Sequence, residues 1–141
     1  MESKQIGNFG ERIAENYLKN KGYQILDKNY SFRIPYNPQK GELDIVAKPR
    51  RSVFDTLRGK KEDVIHFIEV KTLRASNSLI SPEEKVNFSK QKKLILTAES
   101  WLMKRKIPLN SKWQIDIIAI TIENKKAKIS HFENAVSYSC S

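Results

Sequence analysis

With 141 residues, 39% of them hydrophobic, the chain has the size of one compact domain and enough apolar material for a real core. Its formal charge of +10, from 26 Lys and Arg against 16 Asp and Glu, argues for a polyanionic partner, because cations that neutralise phosphates release condensed counterions. Cys140 is the single cysteine, which excludes an intrachain disulfide, and no apolar run approaches the roughly 18 residues of a membrane span, so a reduced, cytoplasmic setting without a membrane is expected.

The N-terminal MESKQIGNFGERIAENYL lacks the apolar block and cleavage site of a signal peptide. From Gly10 to Lys21 the apolar residues Ile13, Ala14, Tyr17 and Leu18 recur at helical spacing, and Gly22 offers a stop. Gly7 and Gly10 precede this pattern and read as the helix start. Backbone N–H groups there could face a phosphate, but no strand leads into them, so a dinucleotide loop is not expected. Residues 23–32 read as a strand, 34–40 with two prolines as a loop, and 41–47 (GELDIVA) as a second strand. The segment 48–63 carries six Lys or Arg, includes Pro49 and Gly59, and shows no period. It is expected to be a long basic loop, of a length that in compact domains is functional or disordered.

Residues 64–71 (VIHFIEVK) are apolar on both faces until Glu69, the pattern of a central strand. A polar loop over 72–81 follows. Ser81, Pro82 and Glu84 read as a cap, first turn and capping glutamate. The helix they start, broken near Asn87, should run to about Arg105 and bury Leu94, Ala98, Trp101 and Leu102, with Pro108 beyond its end. Residues 113–122 and 127–132 read as closing strands around a turn at 123–126. The order helix, three strands, helix, two strands predicts an α/β fold, a mixed β-sheet of about five strands flanked by helices, in one domain over 1–141.

Polar residues inside apolar strands are costly to bury unless they are paired or bind a metal. Asp44 interrupts LDIVA, and Glu69 and Lys71 interrupt IEVK. Strand side chains alternate, so Glu69 and Lys71 share a face, as do Glu42 and Asp44. If the two strands are neighbours, two carboxylates and one ammonium converge. Oxygen ligands of that kind suit Mg²⁺ or Mn²⁺, and Lys71 could orient a water or balance charge beside the ion. The structural alternative is a carboxylate–lysine ion pair at the strand ends.

Asp44, followed 25 positions later by Glu69-Val70-Lys71, resembles the D…(D/E)-x-K signature of the PD-(D/E)xK nuclease superfamily. With GERIAENYL at 10–18, Gly22-Tyr23, GELDIVA and the later Lys90, Ala98 and Leu102, the chain is similar to the YraN-like uncharacterised protein family 0102. These are small bacterial proteins related to archaeal-type Holliday junction resolvases, and the resemblance runs from about Gly7 to Ile120. It implies a restriction-endonuclease-like fold and an Mg²⁺- or Mn²⁺-dependent endodeoxyribonuclease, with branched DNA among its substrates. It further implies that Asp44, Glu69 and the Val70 carbonyl bind the metal, that Lys71 is the catalytic lysine, and that Glu11 adds a catalytic acidic residue from the first helix. Resolvases of this kind act as dimers, so a homodimer is compatible with it. The chain departs from the family in its long segment 48–63, and in carrying Leu73 and Gln114 where arginines are usual, with Arg74 one place on. Both departures concern substrate handling.

Residues 84–106 carry seven Lys or Arg against two Glu. Lys90, Lys92 and Lys93, with Arg50, Arg51, Lys60 and Lys61 on the long loop and Arg74, are the expected contacts to the nucleic-acid backbone; such contacts position without reading sequence. A solvated helix face is the alternative for the lysines, as it is for Glu11 and Glu15, four apart on one face. His66 and His131 are expected to be packed, and two separated histidines leave little for a zinc site. Asp116, inside QIDII, reads as a lysine's partner rather than a support for the site. A non-catalytic nucleic-acid-binding module that keeps the fold is the functional alternative, and a protein-interaction domain the third.

Overall fold

The computed structural model describes residues 3–59, 63–74 and 88–136. Helix α1 (Ser3–Asn20) leads into β1 (Tyr23–Arg33) and β2 (Lys40–Pro49). A short α2 (Val53–Leu57) precedes β3 (Ile65–Arg74), and α3 (Phe88–Lys104) is followed by β4 (Trp113–Glu123) and β5 (Lys126–Phe132). The strands form one sheet in the order β1-β2-β3-β4-β5. Only β3 and β4 are parallel, and α3 lies between them in sequence, as a parallel crossover requires. The fold is therefore the α/β mixed five-stranded sheet with flanking helices that the element order implies.

The sheet divides two apolar layers. On one face Ala14 and Leu18 of α1 pack with Ile45, Ala47, Ile68, Ile118 and Ile120. On the other, Leu94, Ala98, Trp101 and Leu102 of α3 pack with Leu43, Val46, Phe67, Ile115 and Ile117. Adjacent residues such as Phe67 and Ile68 serve opposite layers, which is why β3 reads as apolar on both faces. Trp101 and Trp113 meet Phe67 edge-on, at centroid distances of 5.5 and 5.7 Å.

Several boundaries differ from the sequence reading, each for a local reason. Helix α1 begins at Ser3, so Gly7 and Gly10 lie inside it rather than before it. Glycine weakens a helix, but at Gly10 a Cβ would lie 1.8 Å from the Thr72 Oγ1, so the close approach of α1 to β3 at this point requires glycine. The segment 48–63 is not a bare loop. β2 continues to Pro49, and Ser52 and Asp55 form a capping box that starts α2. Five residues are too few to display a period. Val53, Phe54 and Leu57 all remain exposed on that helix. β3 continues through Thr72 to Arg74, where a loop was expected. The turn after β4 places Asn124 and Lys125 at φ 48° and 62°, the left-handed pair that matches hairpin twist.

The expected helix start at Ser81, Pro82 and Glu84, the break near Asn87, and Lys60 and Lys61 lie outside the described residues. Among those described, no helix is long and apolar enough to cross a membrane.

Candidate functional site

β2 and β3 pair only from Ala47–His66 to Ile45–Ile68 and then part. At the same point the alternation of β2 slips. Leu43 joins Val46 in the layer under α3, whereas Ile45 joins Ala47 under α1. Asp44 occupies the slip, and its Oδ2 accepts the Val70 N–H at 2.7 Å, a donor that the diverging β2 backbone no longer meets. The side chain thus bridges the opening between the strands.

Glu69 and Lys71 leave β3 on the α3 face, with the Lys71 Nζ 3.1 Å from the Glu69 Oε1. Lys90 reaches the same oxygen from α3, at 2.8 Å. Glu69 is only 8% exposed. An open cavity of about 340 Å³ lies in front of this group, lined by Asp44, Glu69, Lys40, Glu42, Lys90 and Lys93. From the α1 side a smaller cleft of about 220 Å³ is lined by Asn8, Glu11 and Lys28 and also reaches Asp44. Asp44 therefore stands between two clefts, one under each helix.

Burial, the neighbouring Glu69 charge, and the charge and hydrogen bond of Glu11 push the Asp44 carboxyl up to about 7, against the opposing pull of the Val70 N–H. Burial and the adjacent Lys90 push Lys71 below the usual lysine range, with Glu69 opposing. Glu15, by contrast, is held below the usual carboxylate range by Lys19 and Lys28, which lie 3.0 and 3.3 Å away. It forms a salt-bridged helix surface, as its alternative reading had it.

The structure brings Asp44, Glu69, Lys71, Glu11, Lys90 and Lys93 to one end of the sheet. Val70 gives its amide to Asp44 and turns its side chain into the α1 layer. Lys92 is exposed on α3 and does not line the cavity. Arg50 and Arg51 do not join this cluster. They follow the far end of β2 and line a different cavity, with Arg51 held by Asp63 at 2.7 Å. The basic residues thus fall in two places rather than on one surface. Arg74 ends β3 opposite Ile122, and its side chain lies outside the described residues.

Two features escape the sequence. Lys90 was expected on a phosphate surface, yet it is also the closer of two lysines on Glu69; nothing local distinguishes it from Lys92 or Lys93. Asp116 does not pair with a lysine. Its carboxylate accepts from His66 Nδ1 at 2.6 Å, His131 Nε2 at 2.8 Å, Gln114 Nε2 at 2.9 Å and the Asn134 N–H at 3.0 Å. Burial works to raise this carboxyl, but the hydrogen bonds, led by the two histidines, hold it well below the usual range.

Among known proteins, the model of the uncharacterised protein family UPF0102 matches residues 10–120, a span that contains every residue of the cluster. A UPF0102 protein of Clostridium tetani (strain Massachusetts / E88) is 42% identical over 122 residues, covering 86% of this chain and 84% of that one. One of Alkaliphilus oremlandii (strain OhILAs) is 38% identical, covering 94% and 98%, and one of Clostridioides difficile (strain 630) is 37% identical, covering 96% and 99%.

Proposed function

The chain belongs to the uncharacterised protein family UPF0102, and from the geometry of its strand opening we propose that it is a metal-dependent endonuclease that hydrolyses DNA phosphodiester bonds. The observation that carries this reading is the meeting of Asp44 from β2 with Glu69 and Lys71 from β3 at the place where the two strands separate.

The donor set fits a hard divalent cation. Burial first, and then the nearby charges of Glu69 and Glu11, keep Asp44 protonated to about pH 7 in the bare chain. A cation there would relieve that repulsion. Val70 holds Asp44 through Oδ2 and both lysines take the Glu69 Oε1, which leaves the Glu69 Oε2 for an ion, and at Asp44 an ion would replace the hydrogen bond with Glu11. Asp44 and Glu69 would hold Mg²⁺ or Mn²⁺, with the Val70 carbonyl as a third ligand. When bound, the ion supplies Lewis-acid charge at the phosphate.

The chain's own residues do the rest. Lys71, with its ammonium half-buried beside Glu69, stabilises negative charge that develops on the phosphoryl oxygens. Lys40, Lys90 and Lys93 line the cavity and hold flanking phosphates without reading bases. Hydrolysis adds the elements of water across one P–O bond. Because lysine contacts to phosphates position a strand without reading its sequence, we place branched DNA, recognised by shape, as the favoured substrate.

A second reading, a binding module without catalysis, draws on one specific observation: Lys71 and Lys90 already neutralise Glu69. Labelled duplex, single-stranded and four-way-junction DNA, incubated with Mg²⁺, Mn²⁺ or EDTA, separates the two. Cutting that requires metal and disappears in Asp44→Asn supports the enzyme. Salt-sensitive binding by both proteins without cutting supports the module and overturns the proposal.

A further inference from the structure

A second group of ligating side chains lies beyond the strand opening, around a separate cavity of about 380 Å³ lined by Tyr23, His66, Gln114 and Glu133. The chain has 2 histidines. Although they are distant in sequence, both donate to one oxygen, Oδ2 of Asp116. Asp116 is 0% exposed, and no lysine or arginine pairs with it among the described residues.

The two imidazoles differ in what they have left. His131 donates through Nε2 and accepts the Tyr17 hydroxyl at Nδ1, 3.1 Å away, so both of its nitrogens are used. His66 is 4% exposed and donates through Nδ1. Its Nε2 has no partner among the described residues, and its ring lines the cavity. Tyr23 packs edge-on against that ring, at 5.2 Å and 88°, and fixes its plane. Ligating atoms of His66, Asp116 and Glu133 all lie within 4.8 Å of one another.

We propose that His66 Nε2 and the Glu133 carboxylate bind a divalent transition-metal ion of the Zn²⁺ type, with Asp116 hydrogen-bonded behind the imidazole. A carboxylate on the far nitrogen of a ligating histidine fixes its tautomer and raises its basicity. The two oxygens of Asp116 already accept four hydrogen bonds, so it is the positioning partner and not a ligand. Water completes the coordination from the open cavity. Imidazole selects Zn²⁺, Co²⁺ or Ni²⁺ over Mg²⁺, so this site differs in kind from the all-oxygen set at Asp44. It goes beyond the nuclease reading and does not depend on it.

Two histidines make the test direct. Zn²⁺ is titrated into the untagged, metal-free, ¹⁵N-labelled full chain, and the imidazole nitrogens are followed by long-range ¹H–¹⁵N spectra. The expected result is movement of His66 Nε2 to a metal-bound position at one equivalent, in wild type and in Asp44→Asn alike. Glu133 is exposed, so Glu133→Gln keeps the fold and should weaken Zn²⁺ about tenfold or more, and Asp116→Asn should weaken it about 10- to 100-fold. Unmoved imidazole signals in excess Zn²⁺, movement confined to His131, or full affinity in Glu133→Gln would each overturn the proposal.

Discussion

Removing the charge of Asp44 should stabilise the metal-free protein, and only at high pH. The folded chain keeps this proton up to about pH 7, whereas the unfolded chain gives it up near 3.8. Below the lower value both states are protonated and the shift has no effect. Between the two values the penalty for ionising a buried carboxylate beside Glu69 and Glu11 grows, and above about pH 7 it is complete. The displacement corresponds to about 4 kcal/mol at 1.36 kcal/mol per pH unit, and screening at the open cleft reduces it to about 2 kcal/mol. Asp44→Asn removes the charge but keeps an oxygen to accept the Val70 N–H. In EDTA at about pH 8 the variant should therefore melt roughly 5–10 °C higher than wild type. At about pH 4.5 most of that difference should vanish. Thermal or urea denaturation at the two pH values measures it. An equal gain at both, or a loss at the higher pH, would show that Asp44 is not the strained carboxylate described here.

Three further outcomes follow from the packing and charge of the chain. Gly10→Ala drives a methyl into Thr72 and should cost about 1–3 kcal/mol in urea denaturation, with most of it recovered in the double variant with Thr72→Ala. Asp27 accepts Trp101 Nε1 at 3.0 Å and Arg105 at 3.2 Å, so Asp27→Ala should lower stability by about 1–2 kcal/mol, measured the same way. Lys93→Ala should weaken DNA binding equally for all sequences and reduce the slope of log K against log salt by about one, as read by fluorescence anisotropy.

The cluster at the strand opening was legible because each of its members violates its surroundings. Asp44, Glu69 and Lys71 are polar in apolar strands, and alternation alone puts Glu69 beside Lys71. The central place of β3 was legible too, since a two-faced apolar run such as 65–68 has only the interior of a sheet to occupy. What escaped depends on contacts between distant residues. The first turns of α1 carry only Ile6 and Phe9 as large apolar residues, too few to show a period, and the close approach of Gly10 to Thr72 is what sets that end of the helix against β3. α2 is the local exception, set by the Ser52–Asp55 cap over too few residues to show a period. The union of His66 and His131 on Asp116 joins β3, β4 and β5 through long-range pairing. Lys90 becomes distinct from its neighbours only when α3 lies over Glu69.

Calorimetric titration with Mg²⁺ near neutral pH measures directly whether the strand opening grips one hard cation. Wild type should take up one Mg²⁺ per chain and release a proton from Asp44 as it does so, and both signals should be lost in Asp44→Asn and in Glu69→Gln. No uptake by wild type, or undiminished uptake by either variant, would contradict the proposed metal site.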